Sequence, residues 1–300
     1  MKSFLSRPIF TGSGVALVTP FSKENEVDYA KLRELLEFHY ANRTDAIIVT
    51  GTTGENATLE NWEHLNIIEE AVEYMQGKLP VIAGTGSNDT RHAIHMSKEA
   101  EFFGVDGLLL VTPYYNKTSQ EGLITHYKAI AESVPTTPII LYNVPGRTGM
   151  TILPETYLEL SKIPNIVATK EACGNLDQIK KTMELCGDTL DIYSGNDEDI
   201  ANIVNLGGIG VISVLANIFP YGTHLLADPN GMNNEIRKTM QEYYNPVIKA
   251  LFSDVSPMPI KEAMNIMGMD VGECRLPLIR MNEEKQNELK LILNKYRKEY

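Results

Sequence analysis

Short apolar runs alternate with longer segments of helical spacing along the first 215 residues of this 300-residue chain. Eight runs rich in β-branched and aliphatic residues read as strands, over residues 14–19, 46–50, 81–84, 107–111, 138–142, 166–170, 191–194 and 208–213. AIIV, GLLLV and PIILY are continuously apolar where a half-solvated strand would alternate, the pattern of parallel strands covered on both faces. The intervening segments, for example 29–41, 62–75, 90–103 and 155–162, read as helices long enough to cross over between parallel strands. Eight consecutive βα units point to an α/β chain closed as a (β/α)8 TIM barrel over an open doubly wound sheet. Beyond about residue 230 the strand signal stops, and helices are predicted over 234–251, 259–267 and 282–297. The last begins with Glu283 and Glu284 and ends with Arg297 and Lys298, the sense that the helix dipole favours. We therefore expect a barrel over 1–230 and a helical C-terminal extension over 231–300.

Composition narrows the function classes. An apolar fraction of 43% and a charged fraction of 22% are those of an ordinary folded protein. A formal charge of -12 repels polyanions and argues against nucleic acid or an acidic membrane surface as partner. No stretch has the roughly 18 apolar residues of a membrane span, and MKSFLSRPIF lacks the apolar region of a signal peptide, so a cytoplasmic location is expected. The widely spaced Cys173, Cys186 and Cys274 fit reduced thiols. The six histidines fall in helical segments without a carboxylate cluster at ligand spacing, so no metal is expected. Gly207-Gly208-Ile209-Gly210 and Gly12-Ser13-Gly14 lead into strands, where a phosphate loop or dinucleotide fingerprint must lead into a helix.

Barrel chemistry gathers at the C-terminal ends of the strands. There the sequence has Gly51-Thr52-Thr53-Gly54-Glu55, Gly84-Thr85-Gly86, Pro113-Tyr114-Tyr115-Asn116, Tyr142-Asn143-Val144-Pro145-Gly146-Arg147, Lys170-Glu171 and Ser194-Gly195-Asn196-Asp197. Lys170 closes an apolar run, so its amine is poorly hydrated and its pKa should fall toward what an imine-forming nucleophile requires. Snorkelling to the rim, or pairing with Glu171, is the structural alternative. Tyr142, one strand earlier at matching height, is a proton-transfer candidate, with the Thr53 and Tyr115 hydroxyls as partners in a relay. Arg147 is suited to gripping a carboxylate, or else forms a surface ion pair. Lys261 opens a helix of the extension and reads as structural, and Cys173 has no local histidine to activate it.

The joint occurrence of GTTGE, AGTGSN, PYYNK, LYNVPGRTG, ATKEA, YSGND and GGIGVISV resembles the dihydrodipicolinate synthase family of pyruvate-dependent lyases, over nearly the whole length. The resemblance implies a homotetrameric barrel, a dimer of dimers. Pyruvate there forms a Schiff base on Lys170, condenses with L-aspartate 4-semialdehyde, and leaves as 4-hydroxy-tetrahydrodipicolinate on the route to lysine. No cofactor beyond that covalent Schiff base is implied. Lys170, Tyr142, Thr53 and Tyr115 match the catalytic positions, Tyr115 being lent across a tight dimer. Thr52 and Thr53 match the groups that hold the pyruvate carboxylate, Arg147 matches the semialdehyde-binding residue, and Gly195 and Ile212 match positions whose carbonyls organise the pocket. A regulatory cleft for lysine would be lined by Asn56, Asn61, His64, Asn88, His92 and Tyr114. His92 stands where lysine-sensitive members have a glutamate, and Asn56 and Asn61 replace a serine and a histidine, so weak or absent inhibition is expected. N-acetylneuraminate lyase and keto-deoxy-sugar-acid aldolases share the lysine and tyrosine but usually have serine before threonine in the second-strand motif. A non-catalytic pyruvate-binding protein is the alternative from another class.

Overall fold

Adjacent residues of the apolar runs end up in two different cores. The computed structural model describes residues 8–299. In it β1 (Gly12–Ala16), β2 (Ala46–Val49), β3 (Val81–Gly84), β4 (Gly107–Val111), β5 (Ile139–Asn143), β6 (Ile166–Glu171), β7 (Asp191–Ser194) and β8 (Gly210–Ser213) close into one barrel in chain order. Each strand pairs in parallel with the next, and β8 pairs with β1. Ile48, Ile82, Leu109, Ile140, Ala168 and Ile212 pack together inside the barrel. Their sequence neighbours Ile47, Val49, Val81, Leu108, Leu141 and Val211 pack outward with helical residues such as Leu36, Ile68 and Tyr127. The side-chain period of two, applied to strands apolar on both faces, produces this partition.

Most predicted boundaries hold to within two residues; β1 ends three residues early, the last helix stops at Leu293 where a 3-10 turn over Asn294–Tyr296 takes over, and the strand shifts have local causes. β1 ends at Ala16 and not at 19 because, after a last bond from the Leu17 N–H to the Ile48 carbonyl, the chain leaves the ladder. The Val18 N–H goes to the side-chain oxygen of Asn217 (3.2 Å), and the Thr19 hydroxyl donates to the Gly54 carbonyl (2.7 Å). β2 stops at Val49 because Thr50 is left-handed, with φ of 52°, which ends extended pairing. β8 begins at Gly210 and not at 208, since Gly207 (φ 116°) caps the helix Ile200–Leu206 and the Gly208 N–H is spent on Ile203. β5 and β6 each run one residue further than predicted, to Asn143 and Glu171, which pair with each other.

The C-terminal helices Asn234–Leu251, Met258–Ile266 and Glu283–Leu293 contribute Val247, Leu251, Ile260, Met264, Leu289 and Leu293 to the same buried cluster as the barrel's outer face. Asn233 and Asn282 cap the first and last of these through side-chain oxygens that accept backbone N–H bonds, as short polar side chains do at helix starts. Among the described residues no helix is long and apolar enough to cross a membrane.

Closure of the barrel depends on a pair of glycines. Gly12 and Gly210 are register partners across the β1–β8 seam, and Gly12 has φ of 94°. A Cβ on Gly210 would lie 2.1 Å from the Gly12 carbonyl oxygen, a backbone atom that moves only if the seam opens. Gly210→Ala is therefore expected to destabilise the fold by about 3 kcal/mol or more in chemical denaturation. A variant that unfolds at the wild-type midpoint would contradict this account of the seam.

Candidate active site

At the open end of the barrel the strand register sets one layer of side chains at common height. Lys170 is the register partner of Tyr142 on one side and of Tyr193 on the other. It follows the inward-facing Ala168 by two residues, so its stem also points into the barrel. Only 6% of its surface is exposed, and its amine lies 4.3 Å from the centre of the Tyr142 ring. Burial pushes its pKa down from 10.5 to about 8; the Arg147 charge acts in the same direction, and the Asp197 carboxylate opposes it. An amine with that pKa is about one-tenth neutral at pH 7, against roughly 3 parts in 10,000 for an ordinary lysine.

Alternation also decides the fate of Glu171. One residue beyond Lys170, it faces outward, where its carboxylate accepts from Asn143 Nδ2 (3.1 Å) and from the Tyr157 hydroxyl, which also meets Thr169 Oγ1 (2.9 Å). The Lys170–Glu171 pair left open by the sequence is therefore not formed, and Glu171 is held behind the strand, its pKa raised by burial. Cys173 lies against the same carboxylate, and burial with that neighbouring charge pushes its thiol up to about 12, away from nucleophilic use.

Tyr142 is buried, which raises its phenol pKa, while Arg147 and a hydrogen bond with Thr52 act to lower it. The threonine hydroxyl that acts on the Tyr142 phenol is that of Thr52, next in the turn to the expected Thr53. Successive residues in the turn direct their side chains differently, and Thr53, 5% exposed, makes no hydrogen bond to the tyrosine. Tyr115 is not brought to Tyr142 within one chain. Its ring is 93% exposed on the loop after β4, on backbone with φ of 69°. Arg147 sits in the one-turn helix Pro145–Thr148 that follows β5, with Nη2 donating to the Ser256 carbonyl (3.0 Å). Gly195 follows β7, where a Cβ would lie 2.9 Å from that of Ala172, and Ile212 lies inside the barrel.

Asp197, in the rim segment after β7, joins the site although nothing in the sequence singles it out. It is 2% exposed, and one carboxylate oxygen accepts from the N–H groups of Val214 (3.1 Å) and Leu215 (2.8 Å), while burial raises its pKa against the lowering influence of the Ser213 hydroxyl. Its other oxygen has no hydrogen-bond partner among the described residues. The signal for it was an acid at a strand end two residues past a glycine, which sequence could not separate from the neighbouring Glu198 and Asp199.

The six cleft positions occupy neighbouring rim segments after β2, β3 and β4. His64 is buried, bonds the Gly84 carbonyl through Nε2 (2.9 Å), and is pushed down to about 4 by burial, with His92 near enough to contribute. Asn88 donates to the Tyr114 carbonyl (3.1 Å). Asn56 opens the short 3-10 helix Asn56–Thr58, and Asn61 opens the helix Asn61–Met75. No group of three or more His, Cys, Asp or Glu among the described residues is placed to hold a metal ion.

Residues 9–296 match the model of the Dihydrodipicolinate synthetase family. A 4-hydroxy-tetrahydrodipicolinate synthase from Caldicellulosiruptor saccharolyticus is 54% identical over 291 residues, covering 96% of this chain and 98% of that protein. Among solved structures, the dihydrodipicolinate synthase of Acinetobacter baumannii, complexed with pyruvate, is 41% identical with a TM-score of 0.92, covering 95% of this chain and 98% of that one. The enzyme of Cyanidioschyzon merolae with lysine bound is 38% identical with a TM-score of 0.92, covering 96% and 98% of the two chains.

The electrostatics of this layer can be checked at one residue. Asp197 favours the ammonium form of Lys170, so Asp197→Asn should move the Lys170 titration further down, below about 8. The pH dependence of acylation by an amine-directed reagent, followed at Lys170 by peptide mass, reads this directly. A midpoint that stays in place or rises would mean that Asp197 does not act on the amine.

Proposed function

The chain belongs to the dihydrodipicolinate synthetase family and is an enzyme, and from that premise we propose that its barrel condenses pyruvate with L-aspartate 4-semialdehyde through a Schiff base on Lys170. The observation that carries the reading is the buried Lys170 amine, lowered to about 8, beside Tyr142. The neutral amine adds to the C2 carbonyl of pyruvate, and loss of water leaves an imine. Removal of a C3 proton gives an enamine, whose carbon attacks the aldehyde of the semialdehyde; the carbonyl oxygen takes up a proton and becomes the hydroxyl of the product. The semialdehyde's own amine then closes on the imine carbon, releasing Lys170 and 4-hydroxy-tetrahydrodipicolinate. The imine is the electron sink, so the cycle needs no other cofactor.

Tyr142, with Thr52 hydrogen-bonded to it, is suited to carrying the protons of these steps. Thr53, with Thr52 beside it, is left to hold the pyruvate carboxylate, and Arg147 the carboxylate of the semialdehyde. Carbonyls of Gly195 and Ile212 border the same space. We assign Tyr115 of the partner subunit the last place in the relay. A 93% exposed aromatic ring on strained backbone beside the half-exposed Tyr114 supports a subunit interface there, and a homotetramer in the cytoplasm is the corresponding assembly. We place the boundary between the barrel and its C-terminal helical extension at about residue 230.

Borohydride added with pyruvate should leave a reduced adduct on Lys170 alone and abolish activity. Lys170→Arg should take no adduct and lose at least about a thousandfold in kcat. Because the neutral amine is the reactive form, the trapping rate should rise about fivefold from pH 7 to pH 8 and level off above about pH 9. An adduct elsewhere, or pyruvate release from sugar acids without turnover of the semialdehyde, would overturn the assignment.

The cleft residues carry a separate expectation. A lysine ligand presents an ammonium group, yet His92 supplies no carboxylate for it, and His64 is neutral at physiological pH. Activity should stay above half throughout the submillimolar range of lysine; half-inhibition within that range would contradict the reading.

A further inference from the structure

The turn that carries Thr52 and Thr53 is held in a backbone shape it would not adopt by itself. Two non-glycine residues bracket it in the left-handed region, Thr50 at φ 52° and Glu55 at φ 56°. Such conformations persist only where the surroundings over-determine them. Inside the turn the backbone offers the Glu55 N–H to the Thr52 carbonyl (3.1 Å) and the Asn56 N–H to the Gly51 carbonyl (3.4 Å).

What fixes the turn comes from the far end of the chain. Lys261, in the helix Met258–Ile266 and 2% exposed, places its amine 2.7 Å from Glu55 Oε1 and 3.0 Å from the Glu273 carbonyl. Glu55 Oε2 accepts the Arg275 N–H at 2.9 Å. The Arg275 guanidinium grips both oxygens of Glu63 at 2.7 Å and also takes the Thr58 carbonyl at 3.0 Å. Both cations lie over the Phe21 ring, its centre 4.1 Å from the Lys261 amine and 4.3 Å from the Arg275 guanidinium carbon. Both oxygens of Glu55 are thus tied to the C-terminal extension, while its backbone ends the substrate-facing turn.

We propose that the Glu55–Lys261 pair is a positioning device for the reaction, through which the extension sets the Thr52 and Thr53 hydroxyls against the pyruvate carboxylate. The inference rests on the reading that these two threonines hold pyruvate. Arg147 approaches from β5 and is held at the Ser256 carbonyl and not at this turn, so the two substrates should respond differently when the Glu55–Lys261 pair is broken.

Glu55→Gln in the full chain is the primary test. It keeps the size of the side chain, and Lys261, whose burial already lowers its pKa, can shed its proton and not remain as an unpaired buried charge. Its KM for pyruvate should rise about tenfold, with KM for the semialdehyde within about twofold of wild type. A merely structural pair would lower the amount of active enzyme and leave both KM values unchanged. Unchanged values, or a parallel rise in both, overturn the proposal. If the single variant does not fold, Glu55→Gln with Lys261→Met removes both charges and is judged by the same comparison. Failure of both to fold assigns the pair to stability alone and overturns the positioning role. Borohydride trapping of pyruvate on the wild-type Lys170 runs beside these assays. Its failure would undo the Schiff-base reading, whereas trapping with unaltered Glu55→Gln kinetics would undo only this inference.

Discussion

A lysine amine held in the dry mouth of a closed barrel is the constraint to which the rest of the site is fitted. Moving its pKa from 10.5 to about 8 means that folding must hold an ammonium ion in a poor environment. The cost is about 3 kcal/mol below pH 8, and it fades as pH rises from 8 toward 10.5, where the unfolded lysine also loses its proton. Set against a total stability of roughly 5–15 kcal/mol, that is a large concession. The barrel can bear it because closure satisfies the strand backbones and because the inward and outward apolar residues form two separate cores. The lysine can then be placed where a neutral amine is wanted.

The same alternation that brings Lys170 inside sends Glu171 out. Had the carboxylate shared the interior face, it would have stabilised the ammonium and raised its pKa, the opposite of what imine formation requires. It is instead retained behind the strand by Asn143 and Tyr157. The negative charge that does act on the amine comes from Asp197 across β7, and the positive charge of Arg147 opposes it. Lys170 is tuned between these two groups, and burial remains the larger influence.

Much of this was legible because parallel barrels write themselves plainly in sequence. Eight runs rich in β-branched and aliphatic residues, several of them continuously apolar, mark the strands, and the residues at and just beyond their ends include Lys170, Tyr142 and Arg147. What escaped depended on direction and not on position. Thr52 and Thr53 are adjacent hydroxyls in one turn, and only the folded backbone selects Thr52 as the partner of Tyr142. Asp197 stands in a run of acids, and its burial comes from the backbone N–H groups of Val214 and Leu215, supplied by the next strand end. The strand limits at Val49 and Gly210 were set by left-handed residues at Thr50 and Gly207, and a threonine gives no warning of such a conformation.

Lys261 illustrates the same limit from the other side. Read in sequence it opens a helix in an apolar setting and invites a structural assignment; in the fold it meets Glu55 at the end of the motif that carries two of the candidate substrate-binding groups. An apolar contact at that point would serve stability equally well, since a buried ion pair seldom gains more than a well-packed hydrophobic replacement. What an ion pair adds is direction. Glu55 sets one oxygen in ion-pair contact with the Lys261 amine while the other accepts the Arg275 backbone N–H, and the two contacts together restrict how the turn can sit. A left-handed backbone needs that kind of constraint, because nonpolar packing tolerates small rotations that would carry a threonine hydroxyl away from its ligand. The extension is thus tied to the barrel by contacts whose geometry suits the placing of side chains at the rim, and the cost of burying their charges is accounted for by the conformation they impose.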